Sequence, residues 1–351
     1  MDFIDFTADE NDAGRRIDKI VRRLMPDHSL GMIYKYFRKG LVRKNKGKTK
    51  PEEKVSLGDN INIAAFLLNS DSHSQPPKNL SKQTQIHLSL GSDIFLNQHI
   101  RIINKPYDIP VQGGKNISLS LDTIISQEYL QMQQEKGQSP SLSFRPGPLH
   151  RLDRKTTGIL AFSQSLLGAQ WFSQAIKDHT IGKEYLALVE GHLQHEQIWQ
   201  EEIARQAQGK SQGFVQSQIS KEGKKAHTKA TPVAWGTFQR KPITLVHLEI
   251  STGRTHQIRL HCSHHGFPLL GDTAYGGTTI ITGNTKKSPQ GKISQIQENS
   301  HQDFFLHAWK MKFPTTNPLQ LPPLVEAPLS ENFRNMLVTH LPEIELKGYI
   351  I

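Results

Sequence analysis

Apolar residues first recur at helical spacing between Arg15 and Leu24, where Ile17, Ile20, Val21 and Leu24 share one face and basic residues take the other. A second helix is predicted over 29–39 and stops at Gly40, a residue suited to the turn that ends a helix. Leu41–Asn45 and Lys54–Ile63 read as short strands on either side of a lysine-rich turn. Further along, strands are predicted over 99–104, 183–190 and 243–250, the last being long and β-branched. Helices are predicted at about 118–130, 165–178 and 255–265. Many strands with interspersed helices indicate an α+β chain built on an antiparallel or mixed sheet.

The polar stretches divide this pattern. Residues 69–85, NSDSHSQPPKNLSKQTQ, lack apolar periodicity and contain a Pro-Pro pair, which marks a linker. Residues 131–147 and 277–302 are rich in Gln, Ser, Gly and Lys and are expected to be surface loops. The resulting plan is a small α+β module over 1–68, a linker over 69–92 and a large domain over 93–351.

Charge sharpens that division. The formal net charge is +11, and between Gly14 and Lys54 there are 14 Lys or Arg against 4 Asp or Glu, leaving 29 against 28 elsewhere. Nearly all of the excess therefore lies in one short segment, as expected of a localised anchor for a polyanion. Two basic helices followed by a small sheet suit the phosphates of folded RNA, with Arg15, Arg16, Arg22, Arg23, Lys35, Arg38, Lys39, Arg43 and Lys44 as candidate contacts.

Other features exclude function classes. Cys262 is the only cysteine, so an intrachain disulfide and a CxxC zinc arrangement are ruled out and a reducing compartment is expected. Met1–Glu10 lacks the layout of a secretory signal, and no apolar run is long enough to span a membrane. A cytoplasmic protein without a membrane partner is expected. No strand is followed by GxGxxG or a Walker loop, which argues against a nucleotide cofactor.

The candidate chemistry centres on His150-Arg151-Leu152-Asp153-Arg154-Lys155-Thr156-Thr157-Gly158, one carboxylate among four basic side chains. In an extended segment Arg151 and Asp153 would share a face, with Leu152 turned into the core. The same residues also suit a basic surface turn in which Asp153 caps a helix. Three further segments bear on the choice: Asn104-Lys105-Pro106-Tyr107 through Gly114, Gly182–Gly191 around Lys183-Glu184-Tyr185, and Thr252–His261 continuing to Gly276. His256, His261, Cys262, His264 and His265 crowd one stretch, and His261 and His265 would share a helix face. No HExxH or nearby carboxylate set accompanies them, so no metal is expected.

Taken in order, NKPxxxxVxGG, HRLDxxTTG, KEYLALVEG, TGRTHQIRLHxxxxGxPLLGDxxYGG and LHAWKMKF resemble the ribosomal large subunit pseudouridine synthase family over roughly residues 93–313. Thr157 stands where that family usually has serine and keeps the hydroxyl. The preceding GRRIDKIVRRL…VSLGDNINI is similar to the RNA-binding module of the ribosomal protein S-four type, departing from it at Asn45-Lys46-Gly47.

The resemblance implies a pseudouridine synthase fold: a central, mostly antiparallel or mixed sheet flanked by helices and loops, with the site in a cleft along it. It implies an isomerase that detaches uracil from its ribose, rotates the base and rejoins it through carbon, with no metal and no cofactor. Asp153 matches the family's catalytic aspartate, leaving open whether it attacks sugar carbon 1′, attacks the base or removes the 2′ proton. Tyr185 matches the tyrosine packed on the flipped base, Arg259 the arginine paired with that aspartate, and Arg151 the residue that enters the vacated stack. Lys105 and Arg254 are expected as phosphate contacts or supports, and His150 completes the expected substrate-binding set. Large-subunit ribosomal RNA is the expected substrate, with transfer RNA modification or catalytically silent RNA binding in ribosome assembly as the alternatives. No protein partner is implied, and a monomer is expected.

Overall fold

The computed structural model describes residues 1–68, 91–114, 119–135, 137, 141–205, 217–280 and 303–341. The expected linker over 69–92 therefore falls almost wholly outside the described residues, as does the 281–302 portion of the second expected loop.

The N-terminal module contains β1 (Phe3–Thr7), α1 (Ile17–Leu24), α2 (Leu30–Arg38), β2 (Val42–Lys44), β3 (Gly47–Lys48) and β4 (Asn60–Ala64). Its sheet runs in the order β1-β4-β2-β3. The predicted apolar face of α1 is buried: Ile17, Ile20 and Val21 pack with Ile33, Phe37, Ile61 and Ile63 in a core of the module's own. Ser29 caps α2 by accepting from the Met32 amide at 3.3 Å, and Gly40 leaves that helix at φ +67°. The hairpin closes on Asn45 and Lys46 at φ +50° and +65°, the paired left-handed geometry a two-residue turn requires. Lys46 is not favoured there, but its amide donates to Asn62 Oδ1 at 2.8 Å. No strand is predicted from sequence where β1 lies; its Phe3 and Phe6 pack against the module's core.

The large domain is organised by a nine-stranded sheet. Its strands in chain order are β5 (Asp93–Leu96), β6 (Ile100–Lys105), β7 (Thr157–Ser163), β8 (Gly182–Glu190), β9 (Gln197–Trp199), β13 (Thr228–Phe238), β14 (Lys241–Ile250), β15 (Leu306–Lys312) and β16 (Leu324–Glu326). Between β9 and β13, β10 (Glu202–Arg205), β11 (Ser217–Ile219) and β12 (Lys224–Lys225) form a separate small sheet. Helices α3 (Leu121–Glu135), α4 (Leu166–Lys177), α5 (Gln257–His264) and α6 (Glu331–His340) complete the domain. The large sheet runs β5-β6-β7-β15-β8-β14-β13-β9, with β16 on β15. Its named pairings are antiparallel except β7 with β15, giving the mixed sheet expected.

Period-two alternation sorts β8 between two cores. Tyr185, Ala187 and Val189 face one with Phe172 of α4, while Leu186 and Leu188 face the other with Phe333 and Leu337 of α6. The parallel pairing brings Gly158 against Ala308: it lies inside β7 at φ +102°, and a Cβ there would stand 2.2 Å from the Ala308 carbonyl oxygen. The glycine that closes the Asp153 motif is thus required by a close approach of two strands, and is not a turn residue.

The stretch expected as a loop over 131–147 is not one throughout. Helix α3 extends to Glu135, and Ser141–Phe144 is buried against the N-terminal module. Asp12, fully buried, accepts from the Ser141 hydroxyl at 2.9 Å and from the Leu142 and Ser143 amides at 3.0 and 2.9 Å. Arg15 donates to Ser143 Oγ at 2.9 Å, and Asn11 Oδ1 accepts from the Leu166 amide at the start of α4. Serines that read in sequence as solvent-facing here answer a buried carboxylate.

Candidate active site

Asp153 lies in an irregular segment just before β7 with its side chain 25% exposed. That segment is not the extended strand whose alternation would pair Arg151 with Asp153, although Leu152 does pack against the core. Lys105, at the end of β6, shapes it from below. Its ammonium donates to the backbone carbonyls of Pro106, Arg154 and Thr156 at 2.9, 2.7 and 2.9 Å. Burial pulls Lys105 down to about 7, opposed chiefly by the charge of Asp153, and three carbonyl acceptors match the three N–H of the charged form. At 1% exposure Lys105 supports the Asp153 loop and cannot reach a phosphate.

The Asp153 carboxylate receives Arg259 and His256. Arg259 Nη1 stands 3.3 Å from Oδ2, and His256 Nε2 stands 3.7 Å from Oδ1. Arg259, on the first turns of α5, is bound more tightly elsewhere: its Nε and Nη2 make a fork to Asp272 at 2.6 and 2.7 Å. Asp272 is 2% exposed, and the guanidinium lies between the Phe304 and Tyr275 rings at 4.7 and 4.8 Å from their centroids. The fixed pair is therefore Arg259–Asp272, with Asp153 on the spare edge of the same guanidinium. The expected Arg259–Asp153 contact is present, but the carboxylate most dependent on Arg259 is Asp272.

His256 precedes α5 at φ +54°, a strained setting for a non-glycine residue that aims its ring at the site. Its Nδ1 meets the Tyr275 hydroxyl at 2.8 Å, and that hydroxyl accepts from the Ser217 amide at 3.0 Å. Burial lowers the His256 pKa, against the pull of Asp153.

Tyr185 sits mid-sheet, registered with Leu248 on one side and Ala308 on the other, and is 7% exposed. Burial, reinforced by the Asp153 charge, pushes its phenol well above the ordinary range and keeps it protonated. Arg151 is exposed, and its charge bears on the His256 ring beside Asp153. His150 turns away: its Nε2 accepts from the Ala161 amide at 3.1 Å, its ring stacks on Phe172, and burial takes it down to about 3. His150 is therefore part of the scaffold and not of the substrate surface. Arg254 donates through Nε to the Lys225 carbonyl at 3.1 Å, and its charge, after burial, lowers the pKa of neighbouring Lys183. Thr157 donates its hydroxyl to His307 Nδ1 at 2.8 Å, linking the Asp153 motif to the late LHAW segment.

The site thus unites Asp153, Tyr185, Arg259 and Arg151 and adds Asp272, His256, Tyr275, Phe304 and Lys183. Asp272 and Tyr275 were visible in the GDTAYGG run, but nothing in their spacing from Arg259 signals a clamp that only the fold closes.

In the N-terminal module, Arg22, Arg23, Lys35, Arg38 and Lys39 are exposed as expected. Arg16 is exposed but paired with buried Asp18 at 2.9 Å. Three other candidates are engaged within the protein. Arg15 holds Ser143, Arg43 donates to the Gly40 carbonyl and lies over Phe3, and Lys44 pairs with Glu53 and Asp59. Lys46 and Lys48, on the hairpin, are exposed in their place.

Residues 99–264 match the family model for RNA pseudouridylate synthase. The ribosomal large subunit pseudouridine synthase C of Haemophilus influenzae is 29% identical over 88% of this chain and 86% of its own. The enzyme of that name from Escherichia coli K12 is 29% identical over 94% of both chains, and that from Yersinia pestis is 28% identical over 96% and 95%. The structure of human RNA pseudouridylate synthase domain containing 4 superposes with a TM-score of 0.51 at 21% identity, over 72% of this chain and 93% of that one, a likeness of fold. With the motif order, the mixed sheet and the matches in agreement, residues 99–264 carry an RNA pseudouridylate synthase domain, and the chain is similar along nearly its whole length to ribosomal large subunit pseudouridine synthases.

Proposed function

We propose that this isomerase converts uridines of large-subunit ribosomal RNA to pseudouridine, with Asp153 as the catalytic carboxylate. The observation that carries the reading is the geometry of one guanidinium. Arg259 is locked to buried Asp272 by a fork, and its remaining edge holds Asp153, which alone of the two carboxylates is open to solvent. A carboxylate so held is positioned to act on a glycosidic carbon, a base or a 2′ proton once the uridine has left its stack. Extruding that base costs a few kcal/mol, and exposed Arg151 can fill the gap. Tyr185 presents a protonated phenol on the floor beside Asp153. Lys183 and Arg254, two neighbouring cations, suit a phosphate flanking the target. No step in this scheme calls for a metal or a cofactor.

The substrate reading rests on the names of the relatives and on the exposed cations of α1 and α2. Residues 1–68 serve as the RNA-binding module, 69–92 as linker and 93–351 as catalytic domain. A cytoplasmic monomer acting on RNA without a protein partner fits; no helix among the described residues is long and apolar enough to cross a membrane. Mapping pseudouridine across total RNA from cells with and without the gene tests the substrate. The reading expects specific sites lost from large-subunit ribosomal RNA; losses confined to transfer RNA would contradict it.

A further inference from the structure

In sequence no nearby carboxylate set accompanies His264, which ends α5, and His265, which follows it. The fold supplies a carboxylate from the turn between β9 and β10. Glu201 Oε1 stands 2.9 Å from His265 Nε2, and ligand atoms of Glu201, His264 and His265 all lie within 4.8 Å of one another. From these residues we infer that Glu201, His264 and His265 form a binding site for a divalent zinc-type cation, distinct from the catalytic cleft.

Three observations support it. The donor set, two imidazoles and a carboxylate, is that of a borderline cation bound at about 2.0–2.2 Å. Glu201 has no Lys or Arg partner among the ion pairs of the described residues; only histidines face it. Its Oε2 and the Nε2 of fully buried His261 are both buried without a hydrogen bond, although they stand 3.3 Å apart. Such a pair is ready to close once the carboxylate turns to a cation.

His261 is the natural orienting residue. Thr228 Oγ1 accepts from Gln257 and has its proton free for His261 Nδ1 at 2.9 Å, which leaves Nε2–H to face Glu201. That arrangement is the histidine–carboxylate support seen around bound metals. Trp199 stacks on His265 at 4.9 Å and fixes its ring. Exposed His264 leaves the remaining coordination position open to water.

The ion would tie the β9–β10 turn to the C-terminal end of α5. Arg259 lies five residues earlier on that helix, about 7.5 Å along its axis. The site would therefore brace the helix that holds the active-site arginine without joining the chemistry.

The experiment uses full-length protein stripped by chelator and titrated calorimetrically with Zn2+, with Trp199-sensitive fluorescence and the visible spectrum of Co2+ as independent readouts. One equivalent should bind, raise the melting temperature and change the fluorescence. His264→Asn, at an exposed position, and Glu201→Gln should each weaken binding at least tenfold, with the His264→Asn protein melting normally in the absence of metal. Failure of the wild type to take up an ion, or affinity unchanged in both variants, would overturn the inference.

Discussion

The two charged regions of this molecule solve opposite problems. Around α1 and α2, Arg22, Arg23, Lys35, Arg38 and Lys39 stand in solvent over an apolar core that needs none of them. Around Asp153, Arg259, Asp272 and Lys105 are nearly or wholly inaccessible, and each of their polar atoms is directed at a named partner. The exposed set is cheap to alter and long-ranged in its effect on a polyanion. The buried set is costly to alter, because removing one member leaves another uncompensated. Net charge distinguishes the two poorly; partners and burial distinguish them well.

The largest stability effect is therefore expected from Arg259→Ala. It strands Asp272 at 2% exposure and should cost roughly 3–5 kcal/mol in denaturant unfolding, with turnover lost as well. Restored stability, but not activity, in the Arg259→Ala/Asp272→Ala double variant would show that the loss came from Asp272. Next comes Asp12→Ala, which leaves the Leu142 and Ser143 amides unanswered between module and catalytic domain. Burial pushes this carboxyl up, but the Ser143 and Leu142 hydrogen bonds outweigh it and hold it below the ordinary range. A loss of roughly 2–3 kcal/mol is expected by the same measurement. An unchanged unfolding midpoint would mean the module is not held this way.

Acid should act through buried imidazoles. His307 is fully buried, accepts at Nδ1 from Thr157 and donates at Nε2 to the Ala327 carbonyl at 3.1 Å; burial lowers it to about 4. His150 is lowered to about 3. Both are neutral in the fold and protonate near their ordinary value, about 6.5, only when unfolded. Their contribution is complete above that value and is lost as pH falls toward 4 and 3, by up to about 1.4 kcal/mol per pH unit for each. Unfolding followed from about pH 7 to 5 should show the decline, and a flat profile would contradict it.

The smallest effect on stability, within about 0.5 kcal/mol per site, is expected from replacing Lys35, Arg38 and Lys39 with alanine. RNA affinity should nevertheless fall, and the slope of log affinity against log salt should become shallower by about 2–3. Substitution is a cleaner test than deletion of residues 1–68, which would leave the Ser141–Phe144 segment without Asp12.

Much of this was legible beforehand because it is local. The helical spacing of Ile17, Ile20 and Val21, the β-branched run of β14 and the motif around Asp153 each carry their own signal. What the sequence concealed depends on distant pairing. Pro232 disguised β13 by interrupting it at a register shift opposite Val246. Ser141 and Ser143 read as loop because their partner, Asp12, lies some 130 residues away. Lys105 reads in sequence as a phosphate ligand, but the three backbone carbonyls around its ammonium come from residues that only the fold brings together. Asp272 follows Gly271, whose φ of +90° and close approach to the Asp303 backbone have no signal in sequence, and its bond to Arg259 is a contact that only the fold makes.

In the proposed function the buried Arg259–Asp272 pair presents Asp153 as the catalytic carboxylate. The most direct test is pseudouridine formation by purified Asp153→Asn protein on a large-subunit ribosomal RNA transcript, measured beside its unfolding curve. Turnover should fall by on the order of 10⁴-fold or more while stability stays within about 1 kcal/mol of wild type. Pseudouridine formed at the wild-type rate by that folded variant would contradict the account.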